Sequence, residues 1–418
     1  MKRTLIFILT AVLALSFSIP AFAQGQQSIS VFVDGLPVSF EVAPVISGGS
    51  TLVPFRAIAE ALNVKVNWDG ATQTVNASGS DIKVLLRIGG KTAYVNGSPV
   101  ALAAAPKVYG GSTMIPLRFF SEAFHCKVAY DNTTKQISIT SPAGKMTVTG
   151  FYALGDSKTS SWTNLFGVSY PQDSAGNTDV IGDLALGWYS LDKDGNLLTV
   201  SRTGWQRPDD WENVLETAKK YGLGTEMVVH VSDGDGAVTA LLSSAAASAN
   251  AADSIAEEAK LYGGVNLDFE GLGYTGSGEQ LKSVQQSFTT FTDLLSQKLK
   301  ASGLKLTLTL HAPNSAYKGY DYAALGKLAD KIVIMAYDYG QTPEPVNSVT
   351  QAVKTAASEV PASKLVLGIS APNETSGSIL TKVGIAKRYG LGGIAIWRLG
   401  LVTPEMWDAL RTSVIPIK

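Results

Sequence analysis

Apolar stretches alternate with helical stretches through the second part of the chain, and this alternation constrains the fold more than any other feature. Strands rich in β-branched and bulky apolar residues are predicted at 147–154, 180–189, 225–231, 264–270, 305–311, 331–337, 364–369 and 393–397. Helical periodicity lies between them at 211–221, 245–262, 280–302, 322–328, 348–360 and 378–389. Eight strands alternating with helices predict an α/β fold, the (β/α)8 TIM barrel. A doubly wound sheet is disfavoured because no glycine-rich phosphate loop opens any unit.

The first part of the chain contains an internal repeat. The segments GGSTLVPFRAIAEAL, which begins at Gly48, and GGSTMIPLRFFSEAF, which begins at Gly110, are 62 positions apart. Each copy predicts a Gly-Gly turn, a short strand ending at proline, an amphipathic helix and a hairpin. We therefore expect a small duplicated α+β module over residues 24–140, a linker at 141–146 and the barrel at 147–418.

The N-terminus has the features of an export signal. Lys2 and Arg3 precede an apolar stretch that ends in Ala21-Phe22-Ala23, which predicts a secretory signal peptide over residues 1–23. A membrane anchor would need around 20 apolar residues, and no later stretch predicts a membrane span. The single cysteine excludes an intramolecular disulfide, and the net charge of −1 disfavours nucleic acid as a partner.

The fourth predicted strand carries two acids. In the sequence GGVNLDFE, which ends at Glu270, Asn266, Asp268 and Glu270 alternate with apolar residues. Side chains alternate between the faces of a strand, so the apolar set faces the helices and the polar set faces the barrel interior. Two carboxyl groups about 7 Å apart do not ionise independently, and we expect a raised pKa for Glu270, as a general acid requires. The alternative is a structural network or a solvated loop.

These residues resemble the DGxDxDxE motif of glycoside hydrolase family 18, with Gly263 and Asn266 replacing two of its aspartates. Similarity to the family extends to the first, sixth and eighth strands, at Gly150-Phe151-Tyr152, Met335-Ala336-Tyr337-Asp338 and GGIAIW, which ends at Trp397. The stretch LGWYSLDKDG, which begins at Leu186, resembles the spore-cortex and germination branch, whose members act on peptidoglycan.

The resemblance implies cleavage of β-1,4 N-acetylglucosaminyl linkages with retention, assisted by the substrate. Glu270 is then the acid and base, and Asp268 orients the 2-acetamido group. Six further residues are implied to bind substrate: Tyr337, Asp338, Trp397, Asn266, Tyr152 and Met335. Neither a cofactor nor a metal is expected. Two alternatives stay open, a catalytically silent lectin-like barrel and a chitinase.

Histidines do not predict a metal centre. His230 and His311 end predicted strands three and five, and we interpret them as sugar-contacting or structural, since a third ligand is lacking. The duplicated module resembles the copper amine oxidase N-terminal-like domain of exported Gram-positive proteins. His125 is its only histidine, which disfavours copper. The resemblance implies cell-wall association through the module and an extracellular, cell-wall or spore-associated location in a Gram-positive bacterium.

Two departures from the family pattern affect the expected chemistry. Asn266 cannot exchange a proton with Asp268. The chain after strand seven leads by Ser378 directly into a helix, where many relatives insert a subdomain. Without that insertion we expect a shallow, open groove, which suits a branched peptidoglycan mesh better than a deep chitin tunnel.

Overall fold

The computed structural model describes residues 29–79, 81–153, 158–200, 206–274 and 276–418. The predicted signal peptide lies outside these residues. Within the described part, no helix combines the length and apolar character needed to cross a bilayer. The two largest hydrophobic cores belong to the N-terminal module and to the barrel.

The module is built from short strands and two short helices. Its helices α1 (Phe55–Ala61) and α2 (Leu117–Ala123) each start directly after a proline, at Pro54 and Pro116. Its strands are β1 (Ser30–Val33), β2 (Leu36–Pro37), β3 (Val45–Ser47), β4 (Ser50–Pro54), β5 (Lys65–Asp69), β6 (Thr74–Ser78), β7 (Lys83–Arg87), β8 (Thr92–Val95), β9 (Ser98–Ala101), β10 (Lys107–Tyr109), β11 (Ser112–Pro116), β12 (Lys127–Asp131) and β13 (Gln136–Thr140).

The two copies of the repeat share their sheets. Strand β4 of the first copy pairs antiparallel with β11 of the second, with Val53 opposite Ile115. Strand β1 pairs parallel with β13, with Val31 opposite Ile137. The copies are therefore interlocked, and the expected duplicated α+β module is one body with a common core.

The predicted barrel is confirmed as a closed ring of eight parallel strands. Strand β14 pairs on one side with β15 and on the other with β22, which closes the sheet and excludes a doubly wound fold. The ring strands are β14 (Gly144–Tyr152), β15 (Asp183–Leu191), β17 (Gly224–Ser232), β18 (Gly264–Glu270), β19 (Lys305–His311), β20 (Lys331–Met335), β21 (Leu365–Ser370) and β22 (Gly393–Trp397). Two short strands, β16 (Leu197–Leu198) and β23 (Val414–Pro416), extend the sheet outside the ring.

Helices surround the ring and cover the apolar outer faces of its strands. They are α3 (Ser161–Phe166), α4 (Glu212–Lys220), α5 (Ala237–Ser243), α6 (Ala245–Glu258), α7 (Gly278–Ala301), α8 (Tyr322–Leu328), α9 (Val346–Glu359), α10 (Ser376–Arg388) and α11 (Pro404–Ser413). The sequence patterns predicted α4 and α6 to α10 but not the other three. Helix α10 starts six positions after β21 ends, so no subdomain is inserted there.

The inward-facing side chains of the barrel form three levels. At the N-terminal ends of the strands Lys331 contacts Asp183 and Glu226. The middle level contains an apolar cluster of Phe151, Ala185, Val228, Val333, Val366 and Ala395, with Asn266 opposite Val228 and Thr309 opposite Val333. The third level, at the carboxyl ends of the strands, contains Asp268, Glu270 and their neighbours. In barrels of this kind chemistry occurs at that end.

The module contacts the barrel through the C-terminal half of α10. Arg388 donates to the backbone carbonyls of Val33, Leu36 and Pro37. Asp34 accepts hydrogen bonds from Ser141, and Lys387 lies 3.9 Å from Asp34. Three of the residues predicted as a linker, 144–146, belong to β14 and pair with β23. The module is thus held against the barrel by side chains of α10 and by the connecting residues around Ser141.

Candidate active site at the barrel mouth

Asp268 and Glu270 lie side by side at the carboxyl end of β18. Asp268 is 2% exposed, whereas the side chain of Glu270 is 32% exposed. Their oxygen atoms and a ring nitrogen of His230 all lie within 4.8 Å of one another. Among the described residues the Oδ1 atom of Asp268 is buried without a hydrogen-bond partner. An unsatisfied buried carboxyl oxygen is costly, so this atom is suited to accept a hydrogen bond from a ligand.

His230 lies directly beside the carboxyl pair. It occupies the position on β17 opposite Asp268, and its Nε2 atom lies 3.6 Å from Oε1 of Glu270. Burial lowers the pKa of His230, but the contact with Glu270 and the charge of Asp268 outweigh burial, so its pKa is raised. A histidine placed in this way stabilises ionised Glu270.

The structure changes the expected order of ionisation within the pair. Burial raises the pKa of Asp268 and the charge of Glu270 raises it further, while His230 offsets part of the rise. Burial also raises the pKa of Glu270. The contact with His230 and the charge of His230 outweigh burial, so the pKa of Glu270 is lowered. The prediction of a raised pKa for Glu270 was therefore wrong. These directions favour protonation of the buried Asp268 over the more exposed Glu270, which has His230 as its neighbour.

Trp397 is the last residue of β22, and Tyr337 follows the end of β20 by two positions. A Cβ atom added to Gly368 would lie 3.2 Å from the Tyr337 ring, so the glycine makes room for it. Burial raises the pKa of Tyr337, and the charges of Asp268 and Glu270 raise it further. The Trp397 ring packs edge-on against Phe151 with centroids 5.4 Å apart and covers the apolar cluster of the middle level. Met335 is buried at the end of β20, opposite His311.

The loop after β20 is anchored by a buried acid. Glu344 is 2% exposed and accepts hydrogen bonds from the backbone N–H groups of Asp338 and Tyr339 and from the amide of Asn373. Asp338 itself is exposed, has a left-handed backbone with φ of 62°, and accepts a hydrogen bond from Asn373. The loop therefore places Asp338 at the rim of the mouth.

Family models match both parts of the chain. Residues 228–374 match the model described as glycosyl hydrolases family 18. This match covers the middle of the barrel, from β17 to the residues just before α10. Residues 32–139 match the model described as copper amine oxidase N-terminal domain, which confirms the assignment of the module.

Relatives of this chain include two Bacillus subtilis (strain 168) proteins. One, named as a sporulation-specific glycosylase, YdhD, is 30% identical over 178 residues, covering 40% of this chain and 38% of the relative. The other, a cortical fragment-lytic enzyme, is 28% identical over 236 residues, covering 39% and 53%. This chain thus spans about two fifths and about half of their lengths. The solved structure of the Bacillus megaterium spore cortex-lytic enzyme SleL shares the fold, with a TM-score of 0.54 and 18% identity over 76% of this chain and 80% of that one.

Two residues predicted to bind substrate do not reach the mouth of the barrel. Asn266 is completely buried below Asp268, where its amide donates to Glu226 and its oxygen accepts from Thr309. Both of its polar ends are therefore occupied. Tyr152 is also completely buried, and its ring packs against Trp188 in the layer between strands and helices. Phe151, rather than Tyr152, is the residue of this strand that faces the interior.

Two tyrosines that sequence reasoning did not assign to the site, Tyr317 and Tyr320, pack against His311. His311 stacks on Tyr317 with ring centroids 4.1 Å apart, and within the described ranges its Nε2 atom is buried without a hydrogen-bond partner. Tyr320 donates a hydrogen bond to the carbonyl of Phe269. Both tyrosines follow strand β19 in the loop before α8. The signal that could have identified them is their position soon after a predicted strand. Loops that follow strands at this end of a barrel build the site.

His230, Asp268 and Glu270 also have the spacing of a three-ligand metal site. The metal-free centre expected from the sequence therefore stays a prediction. Its check is an activity assay after dialysis against a chelator and after readdition of divalent cations.

Proposed function

We propose that the protein is an exported glycosidase that cleaves β-1,4 N-acetylglucosaminyl linkages of peptidoglycan, including spore cortex, with retention of configuration. The observation that carries the proposal is the carboxyl pair, in which buried Asp268 has an unsatisfied oxygen beside Glu270. The family 18 match and the relatives named for sporulation and cortical fragments support this class of substrate. The predicted signal peptide supports action outside the cytoplasm.

The position of both acids on one strand argues for assistance by the substrate. Enzymes that use two carboxyl groups place them on opposite sides of the scissile bond. Asp268 and Glu270 are two residues apart on β18, and their side chains leave the strand on the same face. Glu270 therefore protonates the glycosidic oxygen as the bond from C1 to that oxygen breaks, while the 2-acetamido oxygen of the sugar bonds to C1. Water then opens this oxazolinium intermediate and gives a proton to Glu270.

The reaction requires the shared proton to move within the pair. Glu270 must be protonated to act as acid, and Asp268 must be ionised to accept the acetamido N–H and to stabilise the cationic intermediate. In the free protein the directions of the pKa shifts favour the opposite arrangement. A substrate amide that donates to Asp268 lowers its pKa, and a glycosidic oxygen beside Glu270 replaces its contact with His230. Substrate binding thus drives the proton from Asp268 to Glu270.

Neighbouring residues hold the sugar for this step. The Tyr337 hydroxyl donates to the acetamido group, and the exposed face of Trp397 packs under the CH face of the sugar ring. Asp338 at the rim contacts the sugar from the side of the anchored loop, and Met335 contributes apolar surface beside it.

Hydrolysis by matched variants tests the proposal. Purified protein and its Glu270→Gln variant are incubated with cortex peptidoglycan and with chitin oligomers, and reducing ends are measured. We expect Glu270→Gln to lose at least about 100-fold in rate, the usual contribution of a general acid. Glu279→Gln is the control, because Glu279 lies on α7 with a side chain that is 89% exposed.

Product configuration tests the mechanism separately. Proton NMR of the first product should show the β-anomer before mutarotation, as retention requires. Equal release of reducing ends by the wild type and Glu270→Gln contradicts the catalytic assignment. Binding of the polymer without release by the wild type assigns a lectin, and a clear preference for chitin oligomers assigns a chitinase.

A further inference from the structure

The module contains two clefts that are related by the internal repeat. One has a volume of about 450 Å³ and includes Arg56, Glu60 and Trp68. The other, of about 510 Å³, includes Arg118, Glu122 and Tyr130. Every residue that lines the smaller cleft has its counterpart, 62 positions away, in the lining of the larger one. The duplication has therefore preserved a cavity as well as a fold.

Each cleft is completed by the other copy of the repeat. The helix and hairpin of one copy supply the arginine, the glutamate and the aromatic ring, while the Gly-Gly-Ser-Thr turn of the other copy closes the side. The antiparallel pairing of β4 with β11 brings each turn across to the opposite helix. One copy alone would lack the cleft, so the interlocked arrangement is what creates the two cavities.

The chemistry of the lining fits a sugar. The aromatic rings are partly exposed, at 36% for Trp68 and 44% for Tyr130, and flat exposed rings pack against the CH faces of sugars. Arg118 and Glu122 lie one helical turn apart with a contact of 3.4 Å, and such planar charged groups hydrogen-bond neighbouring hydroxyls. The smaller cleft has one arginine against two glutamates, Glu41 and Glu60, which disfavours a polyanion.

We propose that the two clefts bind the uncharged sugar backbone of one glycan chain and hold it to the module. A ligand made of repeated units can occupy two equivalent sites on one body at once, which raises its apparent affinity without further contacts. The barrel does not cover the clefts, because the module meets it through other residues, such as Asp34 and Leu36. The module is thus a bivalent glycan anchor fixed to the glycosidase barrel.

Binding to insoluble peptidoglycan sacculi tests this inference. Full-length protein with Glu270→Gln and Trp397→Ala serves as background, so that hydrolysis and the sugar floor proposed in the barrel are removed. We expect Trp68→Ala or Tyr130→Ala to weaken binding at least about 10-fold through loss of avidity, and the double variant to abolish retention. Tyr109→Ala is the matched control, since Tyr109 is a 51% exposed aromatic residue of the same module that lines neither cleft.

The possible results separate this inference from the proposed function. Unchanged retention of the double variant overturns the proposal that the clefts bind glycan. So does retention of all variants that is lost only at high salt or after removal of anionic wall polymers. An unchanged melting temperature of the double variant excludes unfolding as the cause of lost binding. Loss of binding in the double variant, together with no hydrolysis by the wild type, would refute the enzyme and leave the anchor intact.

Discussion

Glu226 at the base of the barrel interior and Asp268 at its mouth are both buried acids, but among the residues that the structure describes only Glu226 has hydrogen-bond partners for both carboxyl oxygens. At the base, Glu226 is 6% exposed, accepts a hydrogen bond from Thr307 at 2.7 Å and lies 3.6 Å from Lys331. Lys331 also donates to Asp183 at 3.0 Å. At the mouth, Asp268 is equally buried, yet its Oδ1 atom has no partner in the described part of the chain.

The presence or absence of hydrogen-bond partners distinguishes a structural acid from a catalytic one better than the extent of burial does. Burial raises the pKa of both Glu226 and Asp268. Lys331 opposes that rise for Glu226, and its side chain contacts both Asp183 and Glu226 at the N-terminal end of the barrel. A buried carboxyl oxygen without a hydrogen bond lowers the stability of the folded protein. Such a loss is expected at a position where a ligand completes the hydrogen bonds.

Removal of the cation at the base should give the largest loss of stability. Lys331→Met leaves Asp183 and Glu226 facing each other without a counter-charge, and breaking a buried pair in this way costs about 3 kcal/mol. Urea denaturation measures the change. Lys305→Met is the control, because Lys305 contacts Asp330 with a side chain that is 68% exposed, and such pairs contribute about 0–1 kcal/mol. Equal effects of the two variants would show that the base is not a tightly coupled network.

Removal of the acid at the mouth should instead raise stability. The pKa of Asp268 is higher in the folded protein than its ordinary value, so the folded state loses stability relative to the unfolded chain as pH rises from about 4 through that raised pKa. Asp268→Asn removes this loss. We expect a gain of about 1 kcal/mol at pH 9 and a smaller gain at pH 4, measured by urea denaturation at both values. A destabilised variant at pH 9 would mean that ionised Asp268 is well accommodated.

The sequence predicted the barrel because strand and helix periodicities are local. The alternation along GGVNLDFE also predicted correctly that Asp268 and Glu270 face the interior. It could not predict which groups would meet them, because partners come from neighbouring strands through their register. Asn266 is on the expected face, but the pairing of β18 with β17 and β19 places it among Glu226, Thr307 and Thr309 below the site.

Tyr152 shows a second limit of sequence patterns. Both faces of β14 are buried along its C-terminal half, so apolar and aromatic residues follow one another without polar alternation. The pattern therefore could not distinguish the interior-facing Phe151 from the helix-facing Tyr152. The order of ionisation was unpredictable for a related reason, since it depends on His230, which is 40 residues from Glu270 in the chain and adjacent to it in the barrel.

The smallest expected effect concerns this histidine and the pH dependence of hydrolysis. The active pair carries one proton, so activity falls when that proton is lost at high pH and when a second is gained at low pH. His230 lowers the pKa of Glu270 and of Asp268. His311, Tyr320 and Tyr337 are further titratable groups near the pair. His230→Asn removes a positive charge, both protons bind more tightly, and the whole pH profile of kcat/KM should shift upward by about one unit.

His125→Asn, in an exposed position of the module, should leave the profile unchanged. A profile of His230→Asn that keeps its position while its height falls would make His230 a substrate contact rather than the group that sets the ionisation of Glu270.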